Sequence, residues 1–154
     1  MSDIRFDGKV AIVTGAGGGL GRCHALELAR RGAKLVINDL GASMDGSGGN
    51  SAAAEAVVKE IEAMGGEAMA NGSSVADEAG VKKMIDDTMA RFGQIDILIA
   101  NAGILRDKSF SKMTQADIDL VIDVHLRGSF MPIHAAWDIM KAQNYGRIVV
   151  TTSS

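Results

Sequence analysis

Lys9-Val10-Ala11-Ile12-Val13-Thr14-Gly15-Ala16-Gly17-Gly18-Gly19-Leu20-Gly21-Arg22-Cys23-His24-Ala25-Leu26-Glu27-Leu28-Ala29 is the stretch whose reading decides the fold. Residues 10–13 are a short apolar run, residues 14–21 a glycine-rich turn and residues 22–29 a helix-forming segment. Glycine has no Cβ, so such a turn admits positive φ and lets a ligand approach the backbone. The helix that follows points its unpaired N–H groups and positive end at an anion. The expected anion is a pyrophosphate. Glycines alone fit an ordinary loop equally well, and the rest of the chain has to separate the two readings.

Working outward, Arg30-Arg31-Gly32-Ala33 supplies basic last-turn residues and a terminating glycine, and Lys34-Leu35-Val36-Ile37-Asn38 is a second apolar strand ending at Asp39. An acidic residue about twenty positions past the glycine turn is where dinucleotide-binding folds place a carboxylate that accepts hydrogen bonds from the adenosine ribose. Asp39 therefore predicts NAD: its charge would repel the extra phosphate of NADP, and Leu40, not an arginine, follows it. The plainer reading of Asp39 is a turn or helix cap.

Composition narrows the partners. The chain has 154 residues, 47 % of them hydrophobic, enough for one domain with a core, and a formal net charge of −3. Its basic residues are scattered, so neither nucleic acid nor an anionic membrane is an expected partner. No apolar run reaches membrane-spanning length and the N-terminus lacks a secretory pattern, which predicts a cytoplasmic protein. The single cysteine, Cys23, is expected to be a small buried apolar residue of the first helix.

Further on, residues 41–51, rich in Gly, Ser, Asn and Asp, read as a loop beside Asp39. A helix follows with Ala54, Val57, Val58, Ile61 and Met64 on one face, then a weak third strand, Glu67-Ala68-Met69-Ala70-Asn71. Asp77 opens another helix; Met64, Met69, Met84 and Met89 are read as core filling. Ile95-Asp96-Ile97-Leu98-Ile99-Ala100 is the fourth strand and runs into Asn101-Ala102-Gly103, which places that turn on the rim of the glycine turn and Asp39. Thr114 and Asp117 form a capping box for a long helix over residues 114–142. His125 lies on its apolar stripe, expected to be buried, and Pro132 should kink it against Gly128. Arg147-Ile148-Val149-Val150-Thr151-Thr152 is the fifth strand, with Ser153-Ser154 at its end. The alternation predicts an α/β fold, a Rossmann-type doubly wound parallel sheet of order 3-2-1-4-5.

With these turns placed, the whole sequence resembles the short-chain dehydrogenase/reductase family. Thr14, Gly15, Gly19 and Gly21 match its Thr-Gly-x-x-x-Gly-x-Gly turn, Asp39 its NAD-selecting acid, Asn101-Ala102-Gly103 its Asn-Ala-Gly turn and Ser153, or Ser154 one register later, its catalytic serine. The resemblance adds Leu20, Ser74 and Val75 as cofactor-binding positions, although the family's Asp after the third strand is here Ser74. His125 stands where the family has Asn, and is either a support for the proton relay or a satisfied core histidine. Within the family, Asn38-Asp39-Leu40-Gly41, residues 101–107, residues 124–130 and residues 143–148 look like the (3R)-hydroxyacyl-CoA dehydrogenase modules of peroxisomal multifunctional enzymes and their bacterial relatives. That implies a small-molecule substrate, an acyl-CoA thioester or another secondary alcohol such as a hydroxysteroid, no metal, and a homodimer or homotetramer. The family's Tyr-x-x-x-Lys lies beyond its serine; Tyr145 is followed at that distance by Val149. Residues 1–154 are therefore expected to be an NAD-binding domain truncated before the Tyr-x-x-x-Lys segment and inactive alone. A non-catalytic dinucleotide-binding module and an interaction module built on the long helix are the rival readings.

Overall fold

The computed structural model describes residues 4–41 and 51–152. Five parallel strands form one sheet in the order β3-β2-β1-β4-β5: β1 Val10–Thr14, β2 Lys34–Asn38, β3 Ala68–Asn71, β4 Ile97–Ala100 and β5 Arg147–Val150. The expected sheet and its order are those observed. Helices α1 (Gly19–Arg30), α2 (Ala52–Ala63), α3 (Glu78–Phe92), α4 (Gln115–Ile122) and α5 (Gly128–Ala142) cover its two faces.

Side chains alternate across β1. Ala11 and Val13 face one core with Leu35, Ile37, Ala25, Leu26, Val57 and Ile61, while Ile12 faces the other with Val36, Leu98, Met84, Ala136 and Met140. Each large aliphatic buried this way contributes roughly 1.5–3 kcal/mol, so the central strands hold the layers together. α1 stops and α3 starts where the sequence says. Gly32 at φ +97° ends α1, with the Gly32 and Ala33 N–H groups returning to the Ala29 and Leu28 carbonyls. Asp77 caps α3 by accepting from the Gly80 N–H at 2.8 Å.

Three expectations need correction. Cys23 is exposed, because α1 starts at Gly19 and turns its Gly21, Ala25, Leu26 and Ala29 face inward, which leaves position 23 outside. Met64 is 45 % exposed, since it caps α2 after the last apolar turn; Met84 is buried, and Met69 and Met89 pack on the core as expected. His125 is exposed rather than buried, for a reason that lies in the long helix itself.

That helix is three pieces. The expected capping box is present: Thr114 Oγ1 accepts from the Asp117 N–H, and the Asp117 carboxylate accepts from the Thr114 N–H. After α4 the chain widens into a π-helical segment, Asp123–Arg127, before narrowing again to α5, which contains Pro132. An inserted π turn shifts the phase of every residue after it, so a stripe counted at regular helical spacing no longer points one way. His125 leaves the apolar face there. Of the loop over residues 41–51, positions 42–50 lie outside the described residues, as do Ser153 and Ser154.

Candidate functional site

Two turns at the carboxyl ends of adjacent strands are tied by one threonine and one asparagine. Thr14, closing β1 and buried, accepts at Oγ1 from the N–H groups of Asn101 and Ala102, both at 3.0 Å. Asn101 Nδ2 donates back to the Thr14 carbonyl at 3.1 Å and the Gly15 carbonyl at 3.2 Å. Its Oδ1 accepts from the Thr151 hydroxyl at 3.2 Å. Asn101 thus joins the ends of β1, β4 and β5. The approach is close enough to require glycine: Gly15 has φ +62°, and a Cβ there would lie 2.8 Å from Ala102 Cα.

β2 holds the other side of the turn. The Ala16 N–H reaches the Asn38 carbonyl at 3.0 Å, and the Asp39 carboxylate accepts from Gly17 N–H at 2.8 Å and Gly41 N–H at 2.7 Å. Each Asp39 oxygen has taken one hydrogen bond and keeps a lone pair for another. A Cβ on Gly17 would sit 2.8 Å from both Asp39 Cγ and Ala53 Cβ, so the carboxylate and the glycine turn interlock. α1 then begins without a side-chain cap and with no acidic residue in its first turn, which leaves its positive end to whatever lies before it.

These turns border a cleft of about 730 Å³. Gly15, Gly19, Leu20, Asp39, Ser74, Val75, Asn101, Ala102 and Gly103 all line it, so nine of the positions named from sequence converge on one space. Thr14 and Gly21 do not line it. Thr14 works beneath the surface as described, and Gly21 is packed so tightly that a Cβ would lie 2.2 Å from the Gly15 carbonyl oxygen. Ser153 lies outside the described residues. Asn38 and Ser73 also line the cleft and were missed; a polar residue ending an otherwise apolar strand was the available signal for Asn38.

His125 is held at the far end of the rim. Its Nε2 lies 2.8 Å from the Ile104 carbonyl oxygen and 3.1 Å from the Ile104 nitrogen, so one tautomer donates to the carbonyl and the other accepts from the N–H. Gly103 leaves room for the ring: a Cβ there would be 2.8 Å from Cε1. The His125 carbonyl accepts from the Ser129 hydroxyl at 2.7 Å. A second anchor lies further along the same segment. Asp117 accepts from Lys108 Nζ at 2.8 Å, and Arg106 Nε lies 3.3 Å from its other oxygen, an ion pair without hydrogen-bond alignment. The Lys108 ammonium and the Thr114 N–H and hydroxyl hold the Asp117 carboxyl well below the usual carboxylate range. Tyr145 is elsewhere: its ring lies 3.7 Å beneath Lys9 Nζ, at the opposite end of the sheet.

The chain belongs to the short chain dehydrogenase family, whose model matches residues 9–154. The family binds nicotinamide dinucleotides. Among its relatives, the chain is 54 % identical over 153 residues to mouse (Mus musculus) peroxisomal multifunctional enzyme type 2, covering 99 % of this chain and 20 % of that protein. It is 50 % identical over 151 residues to the peroxisomal hydratase-dehydrogenase-epimerase of Saccharomyces cerevisiae, covering 98 % of this chain and 17 % of the yeast protein. It superposes with a TM-score of 0.87 and 33 % identity on a solved 7α-hydroxysteroid dehydrogenase complexed with NADH and 7-oxo glycochenodeoxycholic acid, covering 97 % of this chain and 55 % of that one. The chain therefore spans only part of each of these proteins.

Proposed function

We propose that residues 1–154 are the cofactor-binding part of an NAD-dependent dehydrogenase that takes a hydride from the carbinol carbon of a secondary alcohol, C3 of a (3R)-3-hydroxyacyl-CoA thioester, while the hydroxyl gives up its proton to a base. The observation that carries this reading is the convergence of Asp39, the glycine turn and Asn101-Ala102-Gly103 on one cleft. A dinucleotide fits what lines it. A Cβ added at Gly18 or Gly19 would meet no protein atom within 4 Å, so the backbone there is bare toward the cleft beside the uncapped start of α1. Asp39 offers its remaining lone pairs to a ribose diol and a negative charge against a 2′-phosphate. Leu20, 65 % exposed, Ser74 and Val75 would wall the cofactor.

When bound, the nicotinamide supplies the hydride acceptor. The chain's own residues bind and orient. Asn101 and Thr14 fix the rim, and His125 holds the Ile104 peptide at the far end of it, a positioning task beside which the relay-supporting role stands as the alternative. Ser153, or Ser154, stabilises the charge growing on the substrate oxygen. The family's tyrosine base and its lysine have no counterpart in residues 1–154. The chain alone therefore binds NAD and turns over nothing; appearance of NADH absorbance with a 3-hydroxyacyl-CoA would contradict this.

Calorimetric titration of the purified chain and its Asp39→Ala variant with NAD and NADP tests the cofactor reading. Tight NAD binding that weakens on substitution, with NADP gaining, is expected; equal affinity for the two in the unmodified chain sinks the assignment. A second reading, a hydroxysteroid in place of the acyl thioester, is favoured by the likeness to the bile-acid-bound dehydrogenase. Assaying both alcohol classes on a longer chain that carries the Tyr-x-x-x-Lys segment separates them. For location, the expected cytoplasm stands against the peroxisomal names of the multifunctional relatives, and imaging a tagged parent chain decides. Among the described residues no helix is long and apolar enough to cross a membrane.

A further inference from the structure

Asn38 ends β2 opposite Asn71, its register partner on β3, and is 1 % exposed. Its Nδ2 donates to Asn71 Oδ1 and to the Ser73 carbonyl, both at 2.8 Å. Asn71 Oδ1 also accepts from the Ser73 N–H at 3.0 Å, and the Asn71 carbonyl from the Asp39 N–H at 3.0 Å. The orientation of the Asn38 amide is set by chemistry: the Ser73 carbonyl can only accept, so the group facing it is the NH₂. On its other side, the Asn38 main-chain carbonyl accepts from the Ala16 N–H within the glycine turn at 3.0 Å. Ser74 does not supply this tie, because its hydroxyl accepts from the Ala76 N–H at 3.2 Å.

We propose that Asn38 is a positioning residue for the adenosine end of the cleft: its buried carboxamide fixes the turn carrying Ser73, Ser74 and Val75 at one spacing from Asp39 and the glycine turn. The proposal rests on the dinucleotide reading above and assigns Asn38 no contact with the cofactor; it acts through Ser73 and Asn71. Its force comes from burial. A carboxamide this enclosed is costly to leave unpaired, and an aspartate of the same shape would set an acceptor against two acceptors, the Ser73 carbonyl and Asn71 Oδ1. The turn would have to move.

The test is calorimetry on the purified chain with NAD and with adenosine monophosphate, run well below the melting midpoint of each variant. Asn38→Asp should weaken both ligands together by about tenfold, ~1.4 kcal/mol. Asn71→Ala, which removes the shared acceptor, should do the same, and Asn71→Asp, which keeps an oxygen there, should restore most of the affinity. Unchanged affinities in folded Asn38→Asp, with only the melting midpoint lowered, would show a merely structural residue and overturn the proposal. Should Asn38→Asp not fold, equal affinities in Asn71→Ala and Asn71→Asp overturn it instead. If the unmodified chain binds neither ligand, the dinucleotide reading itself falls, a separate outcome.

Discussion

Thr14 shows how little of the site need touch a ligand to make one. Its hydroxyl oxygen is the acceptor for two N–H groups of the Asn-Ala-Gly turn, and it is buried. Thr14→Val keeps the shape and removes that acceptor, which leaves two N–H donors facing a buried methyl group. Such groups cost roughly 1–3 kcal/mol each when unpaired. Denaturant unfolding of the purified variant should show a loss of that order, and an unchanged midpoint would mean that the two N–H groups find other partners. At this scale most of the site was legible. Gly15, Asp39 and Asn101 were named from residue type and spacing, because a tight turn, a ribose-facing acid and a strand-joining amide each demand one kind of side chain. Asn38 and Ser73 were not: a polar residue closing an apolar strand marks position 38 as unusual, but what it does there depends on its partner on the next strand.

Among the elements, the rim segment between β4 and α4 depends on a single carboxylate. Asp117 completes the capping box of α4 and pairs with Lys108 and Arg106 of the preceding loop. Its pKa is lowered from 3.8 in the folded state, so the unfolded chain takes up the proton first as pH falls. The stabilisation is thus present above the ordinary carboxylate range and is lost as pH drops through it toward the folded value. Acid titration should unfold the wild-type chain more steeply below about pH 4 than Asp117→Asn, whose stability is already lowered at neutral pH; parallel acid transitions in the two proteins would refute the role. The long helix taught the opposite lesson to the turns. Its cap at Thr114 was readable from four residues, whereas the π turn at Asp123–Arg127 was not, and so the exposure of His125 was misjudged.

Across the whole molecule, the apolar surface is uneven. β5 lies at the edge of the sheet with Val149 50 % and Val150 41 % exposed, and Leu126, Phe130 and Trp137 of the π segment and α5 are each more than half exposed. Large exposed apolar residues on an edge strand and along one helix mark surfaces that another chain or segment covers. Self-association of the purified chain is the expected outcome, in keeping with the homodimer or homotetramer that the family resemblance implies, and light scattering that reports a monomer across the accessible concentration range would count against it.

By itself the sequence determined the parallel sheet, its 3-2-1-4-5 order, the glycine turn and the acid at Asp39, because strand alternation, turn chemistry and right-handed crossovers are local rules that act through neighbours in the chain. Only the tertiary structure decided which of the named residues face the cleft and which lie under it. Thr14 and Gly21 went beneath, His125 turned outward at a π turn, and Asn38 became a bracket between β2 and β3. The reason is physical: whether a polar side chain is buried, and what satisfies it, depends on partners 20 to 90 residues away in sequence, which no local spacing specifies.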